Sequence, residues 1–101
     1  MSVHHIVLWR FPVDQNGPDL AVKIEQTAEM LRECGTATAG IERFEVGIDT
    51  SGNADNAQLT LVSKFIDDDA LKTYIAHPKH KALSAQLKTL VRERLVCDYS
   101  D

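Results

Sequence analysis

The side chains best suited to chemistry in this chain are its four histidines, His4, His5, His77 and His80, and the tyrosine Tyr74. Histidine changes charge near neutral pH, so proton transfer is the chemistry it brings. Tyr74, His77 and His80 stand three residues apart in the segment Tyr74-Ile75-Ala76-His77-Pro78-Lys79-His80. Pro78 breaks a helix, because it has no N–H to donate and restricts the residue before it. The broken helix can aim Tyr74 and His80 at one place. His77 is placed to cap the helix that starts at Pro78, and the sequence leaves open whether it also belongs to a site. His4 and His5 are adjacent, so in a strand they point to opposite faces and cannot act together. His5 alternates with Val7 and Trp9, which makes it the interior one, either as a hydrogen-bonded core residue or as part of a site. His4 falls on the surface or an edge. His77 and His80 make a poor metal pair, since Pro78 lies between them and no third ligand is near. No metal is expected.

These residues need elements to hold them. Val3 to Phe11 reads as a strand rich in β-branched, aromatic and aliphatic residues, apolar on both faces, with Pro12 ending it. Asn16-Gly17-Pro18 is a turn, with Pro18 at the first helical position and Asp19 suited to the helix dipole. Leu20, Ile24, Thr27, Ala28 and Leu31 repeat at helical spacing, and Gly35 reads as the C-cap. Ile41 to Asp49 and Gln58 to Phe65 form a long-looped hairpin. Asp67, Asp68 and Asp69 open a helix in preference to binding metal, because carboxylates suit a helix N-terminus. A last helix runs from Pro78, with Ala82, Leu83, Leu87, Leu90 and Val91 on one face. Leu95 to Tyr99 is a short final strand.

The order is β-α-β-β-α-β with the second helix broken. It predicts a single α+β domain over residues 1–101, with a ferredoxin-like four-stranded antiparallel sheet and helices on one face. Ile6, Leu8, Val62 and Leu95 would then face water on the second sheet face. An apolar face of that kind marks an interface, and its simplest closure is a two-fold homodimer, sheet against sheet.

Composition sets the remaining bounds. The chain has 101 residues, enough for one domain, and a net charge of −4, without the basic excess that nucleic-acid binding calls for. Residues 1–69 hold 12 acids and 5 bases, whereas residues 70–101 hold 3 acids and 6 bases. That asymmetry reads either as solvated helix faces or as a basic rim around a site for an anionic ligand. Cys34 and Cys97 lack metal-type spacing, and their separation neither demands nor forbids a disulfide. The opening residues lack a signal peptide's basic and apolar regions, and no apolar run reaches 18 residues. A cytoplasmic protein with reduced thiols and no membrane contact is the expectation.

The opening Val3-His4-His5-Ile6-Val7-Leu8, the segment YIAHPKH and the ending Val96-Cys97-Asp98-Tyr99 together resemble the stress-responsive A/B barrel domain (Dabb) family. Gly40-Ile41, Glu45-Val46-Gly47 and Phe65 fit it too, so the resemblance spans nearly the whole chain. It implies a dimeric α/β barrel in which two ferredoxin-like sheets pack together. Most members have no known activity, but a plant polyketide cyclase within the family closes its product by aldol condensation. The resemblance implies catalytic roles for Tyr74 and His80, with His5 from the first strand and Asp98 from the last. A further pocket histidine of that cyclase falls on Leu59 here.

In such a site a neutral His80 would remove a proton alpha to a carbonyl. The Tyr74 hydroxyl would hydrogen-bond the enolate oxygen. Asp98 would orient a histidine and fix its tautomer. Val7, Trp9, Phe11, Leu59, Leu83 and His77 are the expected pocket lining. No cofactor is required. Three functions fit: a cofactor-free lyase or cyclase acting on a carbonyl or polyketide-like compound, a non-catalytic ligand-binding or stress-response module, and a cofactor-free monooxygenase.

Overall fold

The computed structural model describes residues 1–12 and 19–101. The turn read at Asn16-Gly17-Pro18 and the placing of Pro18 lie outside them. The described elements are β1 (Val3–Arg10), α1 (Asp19–Cys34), β2 (Ile41–Ile48), β3 (Leu59–Phe65), α2 (Asp68–Ala76), α3 (Pro78–Leu90) and β4 (Glu93–Ser100). The strands form one antiparallel sheet in the order β2-β3-β1-β4. This is the ferredoxin-like arrangement expected from the element order.

Alternation in β1 sets the two faces of the sheet. Val3, His5, Val7 and Trp9 are buried, and Leu8 on the other face is exposed. The buried face packs against α1 through Leu20, Ile24, Ala28 and Leu31, and against the later helices through Leu71, Tyr74, Leu83 and Leu87. Thr27 sits in this core at no polar cost, because its hydroxyl donates to the Lys23 carbonyl at 2.8 Å.

Gly35 follows α1 but does not take the left-handed conformation of a glycine C-cap. Its role is clearance. A Cβ there would lie 2.4 Å from Phe44 Cδ1, so the missing side chain lets the ring pack against the helix end.

The triple acid opens α2. Asp67 is the N-cap and its side chain accepts from Ala70 N at 2.8 Å, while Asp68 and Asp69 occupy the first turn. His77 ends α2 and begins α3. Its Nδ1 accepts from the Lys79 N–H at 3.1 Å, with Pro78 in the first helical turn, where the absent N–H costs nothing.

β4 is an edge strand and runs from Glu93, two residues earlier than the sequence pattern indicates. Its register with β1 pairs Leu8 with Leu95, Ile6 with Cys97 and His4 with Tyr99 on the face away from the helices. Ile6 also pairs with Val62 of β3. Leu8, Leu95 and Tyr99 are 40%, 55% and 50% exposed, so an apolar patch lies open across two neighbouring strands. The His4 and Tyr99 rings stack there at 4.5 Å.

Candidate active site

Between the sheet and the broken helix lies a cavity of about 340 Å³. Its floor is β1 and β3, through His5, Val7, Trp9 and Leu61. Its walls are α1, α2 and α3, through Leu31, Tyr74, Ile75, His80, Leu83 and Leu87, and the adjoining Arg94 of β4. The volume is within the range of small-molecule pockets, and the lining is mostly apolar with a few convergent polar groups.

Tyr74 and His80 meet here because the helix breaks between them. Tyr74 lies on the inner face of α2 and His80 in the first turn of α3; their ring centroids are 4.8 Å apart with the planes at 61°. His80 also hydrogen-bonds back across the break to the Ile75 backbone. With one ring N–H held on that carbonyl, the second ring nitrogen keeps its lone pair. Burial lowers the His80 pKa most; the bond to Ile75 opposes this, and the positive potential of His5 and Arg94 adds to the lowering. His80 is therefore a neutral base at pH 7.

Tyr74 is 1% exposed, and its hydroxyl has no hydrogen-bond partner among the described residues. Burial raises its pKa above the usual phenol range, so the group stays protonated and acts as a donor. The indole Nε1–H of Trp9 is a second buried donor without a partner there. Each such group costs about 1–3 kcal/mol when left unmade. Both residues border the cavity.

His5 reaches the cavity from β1, with its ring 6.2 Å from that of Tyr74. Asp98 is its cross-strand neighbour, and the Asp98 Oδ1 lies 2.5 Å from His5 Nδ1. A carboxylate at Nδ1 fixes the proton there and leaves Nε2 as the free nitrogen. Ser63 Oγ donates to the His5 carbonyl at 2.6 Å and pins the backbone beneath the ring.

Of the expected lining residues, Val7, Trp9 and Leu83 line the cavity and three do not. Phe11 lies beyond the end of β1, buried in the core, with its N–H donating to Gln58 Oε1 at 2.7 Å. Leu59 is buried between Trp9 and Ile48 in the sheet register. His77 is spent on capping, with its Nδ1 turned to its own helix. Sequence reasoning also missed Ser84, Lys88 and Arg94. Ser84 and Lys88 follow His80 at intervals of four on α3, so helical spacing carried that signal. Arg94 shares the strand face of Val96 and Asp98, but is seen only if β4 is begun early enough. Among the described residues, no three His, Cys, Asp or Glu side chains converge to hold a metal ion.

Comparison with known proteins agrees with this architecture. A dimeric protein of unknown function with a ferredoxin-like fold, from Bacteroides fragilis NCTC 9343, superposes with a TM-score of 0.86 at 26% identity, covering 99% of this chain and 96% of that one. A dimeric ferredoxin-like protein of unknown function from Thermobifida fusca YX gives 0.84 at 25% identity, covering 100% and 92%. A Dabb family protein with a ferredoxin-like fold from Mesorhizobium loti MAFF303099 gives 0.75 at 20% identity, covering 99% and 96%, a likeness of fold alone. The search of curated proteins returned no match. The sequence model of the Stress responsive A/B Barrel Domain matches residues 3–101, and the chain belongs to that family, Dabb.

Proposed function

We propose that the cavity binds a small carbonyl compound and that the protein acts on it as a cofactor-free lyase or cyclase. The observation that carries this is the pairing of a desolvated, neutral His80 with the unpartnered, protonated Tyr74 hydroxyl in one cavity wall. The free His80 nitrogen takes a proton from the carbon alpha to a carbonyl, and the electron pair moves onto the carbonyl oxygen. Tyr74 donates a hydrogen bond to that enolate oxygen, where charge develops. In an aldol step the enolate carbon attacks a second carbonyl of the same molecule. A C–C bond forms, and the new alkoxide recovers the proton from His80. His5, held by Asp98, offers its Nε2 to the same space.

We further propose that the protein is a homodimer joined through the open sheet face. The exposed patch around Leu8, Leu95 and Tyr99 supports this, as do the dimeric neighbours from B. fragilis and T. fusca. The interface then lies on the opposite side of the sheet from the cavity.

The test is turnover of a panel of β-polyketides and β-diketones by the wild type and by His80→Ala. Turnover by the wild type and none by the variant supports the proposal. Equal turnover removes His80 from it. A compound that binds and is recovered unchanged identifies a binding module instead.

A further inference from the structure

The reading of the cavity as a ligand site leaves two of its residues unexplained. Lys88 of α3 and Arg94 of β4 both line it, and both are exposed, so they stand on its solvent side. Among the described residues, none of those lining it is acidic. Several other cations of the chain are paired: Arg10 with Glu93, Arg32 with Glu29, Arg43 with Glu45, Lys64 with Asp101 and Lys72 with Asp68. Among the described residues, neither Lys88 nor Arg94 has such a partner. Arg94 is also near enough to Tyr74 and His80 to bear on both electrostatically. Two cations on the solvent side of the cavity, without an acidic partner among the described residues, make a site of positive potential.

We propose that Lys88 and Arg94 form an anion subsite, and that the ligand is a compact apolar carboxylic acid whose carboxylate they hold at the mouth. The guanidinium fork suits a carboxylate, and the ammonium adds a second donor from the facing helix. The apolar chain enters between Val7, Leu31 and Leu83, and an oxygen further along it meets the buried donors of Trp9 and Tyr74. Anchoring one end in this way places the methylene between the carboxyl and carbonyl groups beside His80. The inference rests on the proposed small-molecule site, but it can fail alone.

Octanoate and octanamide are suitable probes, since they share a chain and differ in head-group charge. Trp9 is the only tryptophan and lines the cavity, so its fluorescence reports occupancy, with calorimetry as a check. The expected result is that the wild type binds octanoate about tenfold more tightly than octanamide, a modest factor because the head group remains near water. In the Lys88→Met/Arg94→Met variant the preference disappears and octanamide affinity is unchanged, which also shows that the variant is folded. In the wild type the preference shrinks as salt is raised, a readout that needs no variant. Equal binding of the two probes by the wild type overturns the anion subsite and leaves the cavity standing. Failure of both probes to bind overturns the cavity as an apolar ligand site, and the subsite with it.

Discussion

Asp98 lies directly across the β1–β4 ladder from His5, and its Oδ1 meets the His5 Nδ1 at 2.5 Å. The imidazole is buried while the carboxylate is part-exposed at the sheet edge, so the pair links solvent to the cavity. An edge strand with no buried residue of its own thus holds one of the site's groups in place.

Replacing Asp98 with Ala leaves the buried His5 Nδ1 without its partner. The expected cost is about 1 kcal/mol, at the low end for an unmade hydrogen bond because water reaches this edge. Ligand turnover should fall further than stability, since the imidazole loses its fixed tautomer. Urea unfolding beside kinetics checks this; a large stability loss with unchanged kinetics would assign Asp98 to the fold alone.

Tyr74→Phe should separate function from stability in the opposite direction. The hydroxyl it removes is buried and has no partner among the described residues. The ligand-free variant should therefore be as stable as the wild type or more so, by about 1 kcal/mol. Turnover should drop by about a hundredfold, as for loss of an oxyanion donor. Thermal unfolding without ligand, alongside kcat, reads both. A destabilised variant would mean that the hydroxyl has a partner in the resting protein.

The activity should rise with pH along an ascending limb set by His80, with its midpoint below the ordinary histidine value of about 6.5. Tyr74 gives no descending limb near pH 10, because burial raises its pKa. Stability carries the same signature. His80 is held below its unfolded value, so between the two the unfolded chain binds the extra proton. His80 therefore makes stability fall as pH drops from about 6.5 toward the lowered value, and His80→Gln should flatten that part of the curve. Unfolding free energies measured at a series of pH values test it, and an unchanged slope in the variant contradicts it.

Much of this arrangement was legible in the sequence. The period-two pattern of β1 put His5 inward beside Val7 and Trp9, and the Pro78 break explained how Tyr74 and His80 could face one point. The limits have physical causes. Alternation tells which face a residue takes, but not where the core leaves space unfilled. Phe11 and Leu59 share the inward face with Trp9 and pack solidly, whereas Val7 and Trp9 border the cavity. Arg94 was missed because a charged residue at a strand start looks like the end of a turn. Gly35 looked like a conformational cap, but what matters is the Phe44 ring, a contact distant in sequence.

The dimer proposal has its own consequence. Leu8→Lys/Leu95→Lys puts two charges on neighbouring strands of the open face. Sedimentation at micromolar concentration should show the wild type at twice 11.2 kDa and the variant at 11.2 kDa, with the helical circular dichroism retained. A wild type that sediments as a monomer contradicts the proposal.

The central claim is that His80 and Tyr74 together labilise a proton alpha to a bound carbonyl. The most direct measurement is exchange of the α-protons of a medium-chain methyl ketone into D2O, followed by proton NMR. It requires no knowledge of the natural electrophile. The account predicts exchange well above the buffer rate with the wild type, and a return to that rate with His80→Ala and with Tyr74→Phe. Exchange at the buffer rate with the wild type, or an undiminished rate with His80→Ala, would contradict it.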